Sequence, residues 1–142
     1  MSARSKARKR ALDALFEADI RSTDPVAVLA ELSSRRVAEG EAALNAYAGV
    51  LVEGVTAHQA RIDEILATYA TGWTLDRMPI VDRNVLRIGA YEVLWCEDVP
   101  DEVAISQAVE LATELSTDES PAFVNGLLAR ISSVKPRLML DA

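Results

Sequence analysis

Cationic and aromatic side chains, rather than any set of acids, bases or nucleophiles, are the groups whose spacing suggests chemistry here. Arg4, Lys6, Arg8, Lys9 and Arg10 fall within the first ten positions, and Lys9 and Phe16, seven residues apart, share one face of a helix. A cation beside a flat ring is the combination that holds a phosphate while a base stacks. The same spacing also suits a Phe16 that simply fills a core. Catalytic groupings are scarce. His58 and Cys96 are the single histidine and the single cysteine, too few for a zinc site unless carboxylates complete it, and no signature surrounds either one as a nucleophile and base. No Gly-rich phosphate loop of the GxGxxG or P-loop kind occurs. Nearly all Asp and Glu residues fall on outward helical faces, where solvation accounts for them. Catalysis, a cofactor and a metal are therefore not expected.

The overall charge of -7 hides a strong asymmetry. Removing the five arm residues from the fifteen basic ones leaves ten against twenty-two acids, a net of -12 for residues 11–142. A cationic arm on an anionic body suggests a specific anionic partner such as nucleic acid, with a merely solvated tail as the alternative. Half of the 142 residues are apolar and only six are Gly and five Pro, a helix-former's composition. The length fits a single domain, 1–142, able to bury about two-thirds of its unfolded surface. One cysteine precludes an internal disulfide and suits a reducing compartment. No apolar run reaches the roughly 18 residues of a membrane span and no signal-like segment opens the chain, so a cytoplasmic location is expected, with no membrane.

The elements that must position the arm are read from periodicity. Pro79 to Trp95, PIVDRNVLRIGAYEVLW, is apolar nearly all round, which predicts a helix at the centre of a bundle. Gly89 within it implies a close approach by another backbone, and Glu92, set among apolar neighbours, requires a cation or hydrogen-bond donors. The first helix continues from the arm to about Arg21 through Ala7, Ala11, Leu15 and Ala18. Asp24 and Pro25 start a second through Val26, Leu29 and Leu32, which fades into a polar loop, SSRRVAEGE. From about Glu41, Leu44, Tyr47, Ala48, Leu51 and Val55 form the cleanest stripe. Thr56 and Gln59 have capping-box spacing, so a break is expected near His58, although the stripe of Ile62, Ile65, Leu66 and Tyr69 is in phase with the one before. Gly72 should stop that helix, and Trp73 should be a large apolar anchor against the central one. A helix over roughly 102–115, a loop from Ser116 to Ser120 and a last helix from Ser120 and Pro121, ending at Lys135 and Pro136, complete the chain. Asn125 and Gly126 would ordinarily mark a turn, but the stripe of Val124, Leu127, Leu128 and Ile131 runs through them, so a packing or contact reason is expected. The sum is an all-α fold, a compact bundle of about seven helices around a buried central helix. Composition and spacing reach a helical binding module with a basic arm, and leave open whether it takes nucleic acid or docks another protein.

Four segments taken in order resemble the bacterial transcription antitermination protein NusB family. RSKARKRALDALF resembles its arginine-rich first helix, VDRNVLRIGAYEV its central helix, DVPDEVAISQAVELATELS the next loop and helix, and DESPAFVNGLL its final signature. The resemblance implies two packed helical sub-bundles and a non-catalytic factor. Such a factor binds the boxA RNA of ribosomal RNA operons together with NusE, the ribosomal small-subunit protein, and acts with NusA, NusG and RNA polymerase to support read-through of terminators. It further implies that Arg4, Lys6, Arg8, Lys9 and Arg10 hold phosphates. Phe16, Tyr69 and Phe123 match aromatic positions at the RNA surface, Glu119 matches an acidic position beside it, and Asp82 matches a residue facing NusE. Asp13 stands where glutamine is common, and Ser5 and Lys6 interrupt what is often a run of arginines. Lysine lacks the guanidinium fork, so NusE is expected to be needed for tight binding. Some members self-associate, and a homodimer covering the arm would be a regulatory device. Five phosphate contacts to single-stranded RNA would give a slope of log K against log salt of about -3.5.

Overall fold

The computed structural model describes residues 2–140. Six α-helices follow one another, α1 (Ala3–Arg21), α2 (Pro25–Ala38), α3 (Ala46–Tyr69), α4 (Ile80–Trp95), α5 (Asp101–Leu115) and α6 (Ser120–Leu140), with a 3-10 turn at Leu75–Arg77. No strand occurs among the described residues. They form two compact units, 1–57 and 58–142, the division falling within α3.

In the first unit, α1 is started by Ser2, whose hydroxyl accepts from the Ser5 N–H at 3.0 Å, and is closed by Ser22 in the left-handed region at φ 53°. The apolar stripe predicted for it, Ala7, Ala11, Leu15 and Ala18, is buried together with Leu12 and Ala14. Asp24 caps α2 by accepting from the Val26 N–H at 3.0 Å, with Pro25 in the first turn as expected. The polar segment after Leu32 is helix rather than loop as far as Ala38. Ser, Arg and Ala there need no apolar stripe to stay helical once α2 has been nucleated, because propagation adds a hydrogen bond per residue. Residues 41–45 carry no regular secondary structure, and Asn45 opens α3 by accepting from the Tyr47 N–H at 2.8 Å. Tyr47, Ala48, Leu51, Val52 and Val55 are then buried.

The expected break near His58 is absent, which is why six helices replace about seven. Thr56 does not cap a new helix. Its hydroxyl donates back to the Val52 carbonyl at 2.7 Å, a bond a serine or threonine makes inside a helix, and the two in-phase stripes join.

In the second unit α4 is the central element, packed against both α5 and α6. Eleven of its sixteen residues are buried, so the reading of a rod with no clean solvent face holds. A Cβ on Gly89 would lie 2.5 Å from Leu128 Cδ1 and 3.4 Å from Ala108 Cβ. The close approach is real, but it comes from side chains of α6 and α5 rather than from a backbone. Glu92 is 1% exposed, and among the described residues no buried side-chain nitrogen or oxygen lacks a hydrogen-bond partner. Three expectations are corrected. Trp73 is 49% exposed and anchors no core. Gly72, at φ 83°, does end the helix, but the left-handed turn it makes carries the indole outward. A Cβ on Gly126 would meet nothing within 4 Å, so of the packing or contact reason expected for the Asn125–Gly126 pair the packing half falls away, and the pair lies on an exposed face. Finally, α6 does not stop at Pro136. Ser132 and Lys135 both bind Asp101, at 2.6 and 3.1 Å, and Leu138 beyond the proline is buried, so packing on either side offsets the lost backbone bond.

Candidate nucleic-acid interface

The basic arm is the exposed opening of α1, and its five cations do not share one environment. Arg4, Lys6 and Arg10 are exposed and Lys9 is half-buried, whereas Arg8 is 4% exposed. The Arg4 guanidinium lies 4.3 Å and that of Arg8 5.7 Å from the centroid of the Tyr47 ring at the start of α3. One aromatic ring thus holds two arginines by cation–π attraction. Arg8, expected on the surface with the others, is withdrawn from it. Tyr47 was legible only as a member of an apolar stripe, because its cationic partners lie some forty residues earlier in the chain.

The first turn of α1 has no acidic residue. Arg4 and Lys6 therefore sit at the end of the helix that already carries partial positive charge, an arrangement that an anion relieves. Arg10 is balanced by Asp13 at 3.7 Å. Burial, the largest influence, pushes the Asp13 carboxyl above its usual range, while Arg10 and Lys9 beside it pull the other way. Lys6, Lys9 and Arg10 also border a cleft of about 490 Å³, lined as well by Arg36 from the end of α2 and by the Ala43, Leu44 and Asn45 segment. Sequence reading assigned Arg36 to a polar loop and gave no sign that it faces the arm. Phe16 is half-buried further along α1.

The remaining expected residues belong to the second unit. Tyr69 ends α3 with the Arg130 guanidinium 5.4 Å from its ring centroid, and Arg130 also donates to the Thr71 hydroxyl at 3.4 Å. Phe123 on α6 meets Trp73, ring centroids 6.0 Å apart and planes inclined at 52°. The two rings border a cavity of about 130 Å³ with Met78, Asp82 and Glu119. Glu119 is exposed, immediately before α6. Asp82 is only 3% exposed, and its two carboxylate oxygens accept from Ser116 Oγ at 2.5 Å and Ser120 Oγ at 2.9 Å. It ties the first turn of α4 to the loop that carries Glu119. Trp73 and Arg130 are the neighbours that sequence reading missed. An aromatic just after a helix-stopping glycine was the available signal for Trp73; for Arg130 there was none.

The His58 ring stacks on Trp95, centroids 4.2 Å apart and planes 16° apart, with Tyr91 next in the stack. Burial and then the neighbouring Cys96 push the Tyr91 phenol above its usual value. Among the described residues no group of three or more His, Cys, Asp or Glu is placed to hold a metal ion, and no helix is long and apolar enough to cross a membrane.

Comparison with known proteins adds relatives to this geometry. Residues 5–133 match the model of the NusB family. The transcription antitermination protein NusB of Nocardioides sp. is 61% identical over 138 residues, covering 97% of this chain and 99% of that protein. The protein of the same description from Kineococcus radiotolerans is 59% identical, with 97% and 98% covered. Among solved structures, T. maritima NusB superposes with a TM-score of 0.84 at 31% identity over 100% of this chain and 99% of its own. A crystal structure of antitermination factors NusB and NusE in complex with dsRNA gives 0.81 at 26% identity over 94% of this chain and 98% of that one.

Proposed function

Because the chain belongs to the NusB family, whose curated relatives are transcription antitermination proteins, we propose that it binds boxA RNA of ribosomal RNA operons together with NusE. In this reading it acts within an assembly of NusA, NusG and RNA polymerase and supports read-through without catalysing a reaction. The observation that carries the reading is the set of four accessible cations, Arg4, Lys6, Lys9 and Arg10, on the acid-free opening of α1. Phosphates bound there complete the charge balance that the helix end lacks. Support for an RNA and NusE partner comes from the fold neighbour that holds both, a statement about that protein.

Within this proposal Arg8 is a positioning residue, bracing the arm against Tyr47, and the phosphate contacts fall to the other four. Tyr69, Phe123 and Phe16 supply rings for unpaired bases, Tyr69 already bearing a cation on its face. Asp82 acts on NusE through the Ser116–Ser120 loop it holds, since its own oxygens are occupied. Glu119 on that loop is the accessible carboxylate.

The test is binding of boxA and of a scrambled RNA by fluorescence anisotropy across a salt series, with and without NusE. Four phosphate contacts predict a slope of log K against log salt of about -2.8, shallower than five would give. Discrimination between the two RNAs should grow when NusE is present. A flat salt response, or equal affinity for both RNAs with NusE present, would sink the reading.

A further inference from the structure

The cavity bordered by Trp73 and Phe123 is too small for a cofactor. Its volume, about 130 Å³, falls well below the ~300–1,000 Å³ of small-molecule sites and suits one long side chain. Its lining divides into two kinds of surface. Trp73 and Phe123, with Met78 and Pro79 from the segment leading into α4, are apolar, whereas the charged residues are both acids, Asp82 and Glu119. Among the described residues no Lys or Arg lines it.

The indole is the part left in water. Trp73 is 49% exposed, and the tilted contact with Phe123, centroids 6.0 Å apart, does not cover it. The acids differ in what they have left to give. Asp82 has both oxygens engaged by Ser116 and Ser120, and the Thr117 hydroxyl lies 2.7 Å from that of Ser120, so these groups are committed to one another. The Glu119 carboxylate has no partner among the described residues. Nor does the neighbouring sequence supply a counter-charge: between Arg87 and Arg130 the chain carries nine acids and no Lys or Arg. An open ring face beside an uncommitted carboxylate, with apolar wall around both, is complementary to a guanidinium on its methylene stem. A nucleotide fits less well, because it would carry a phosphate towards two carboxylates.

We propose that this cavity is a docking socket for an arginine of a basic protein partner. The guanidinium lies on the Trp73 face and pairs with Glu119, while its stem lies against Met78 and Pro79. Asp82 adds negative potential without being contacted. Tryptophan and arginine are the residues that most often dominate protein interfaces, and here the chain supplies one and the partner the other. NusE as the source of the arginine rests on the antitermination reading, whereas the socket itself does not.

The experiment is a chemical-shift titration of the full chain, read at the Trp73 indole N–H and at the amides of residues 73–78 and 117–123. N-acetyl-arginine methylamide, N-acetyl-norleucine methylamide and uridine 5′-monophosphate are the separate probes. The arginine probe alone should shift these signals, and Glu119→Gln, an exposed change, should weaken it about threefold. In parallel, titration calorimetry compares NusE binding to the wild type, Trp73→Ala and Glu119→Gln. Trp73→Ala should weaken NusE about thirtyfold, the loss of an interface hot spot, and Glu119→Gln about fivefold. Equal shifts with the norleucine and arginine probes, a shift of the Trp73 indole by the monophosphate, or NusE binding indifferent to Trp73→Ala overturns the socket. If the wild type takes the arginine probe as expected but does not bind NusE at all, the socket stands and only the antitermination reading fails.

Discussion

Arg87 concentrates three bonds in a side chain buried on α4. Its Nε and Nη2 donate to the two oxygens of Asp63 on α3 at 2.9 and 3.0 Å, and Nη1 donates to Asn84 at 3.0 Å. Replacing one partner of such a forked pair leaves the other without its counter-charge in a partly dry setting. Arg87→Ala is therefore expected to cost about 3 kcal/mol of unfolding free energy, measured by urea denaturation. A loss below about 0.5 kcal/mol, the scale of an ordinary surface substitution, would show that the fork contributes little. Asp13 poses the opposite case. Burial raises its pKa, so the fold disfavours the ionised form. The stability tied to this group therefore rises as pH falls through the raised folded value, and the gain is complete below the ordinary 3.8. Asp13→Asn should raise Tm at neutral pH and flatten that acid dependence. The same change should tighten RNA, since it removes an acid paired with Arg10 of the arm; an unchanged or lower Tm at neutral pH would contradict the argument.

At the scale of elements, the stripes that bury α1, α4 and α5 were legible because a helix repeats its faces locally and only apolar content is needed to see them. Where a helix ends was less so. In α3 the capping-box pair at Thr56 and Gln59 competed with two in-phase stripes, and the hydroxyl chose the Val52 carbonyl, a bond invisible in a string of letters. In α6, proline reads as a stop because it removes an N–H and crowds the preceding turn. The clamp of Ser132 and Lys135 on Asp101, thirty-one and thirty-four residues away in sequence, holds the helix through it. Pro136→Ala should consequently restore one backbone bond and stabilise the last turns by about 1 kcal/mol, seen as slower amide exchange beyond residue 135. Exchange that is unchanged there would mean the proline costs nothing in its present setting.

For the molecule as a partner of RNA, the distribution of charge matters more than its total. The net of -7 opposes a polyanion at long range, while the arm offers attraction within a Debye length of α1. The arrangement of α1 makes two arm substitutions separable. Arg10→Gln should reduce the magnitude of the salt slope by about 0.7, with little change in stability, because it removes a phosphate contact. Arg8→Gln should leave the slope alone and lower Tm, because it removes a buried cation from the Tyr47 face. Anisotropy and thermal melts on the two variants decide the matter, and equal salt slopes for both would erase the distinction between contact and brace.

The amino-acid string alone determined the all-helical class, the central position of Ile80–Trp95 and the presence of a cationic arm, since each depends on composition or on a period of a few residues. Tertiary structure decided which cations stay accessible, that Trp73 faces outward beside Phe123, that Asp82 is buried on two serines, and that Arg36 closes a cleft with α1. Those outcomes depend on groups tens of residues apart arriving at the same place. Exposure and hydrogen-bond partnership are properties of that meeting, not of any single segment.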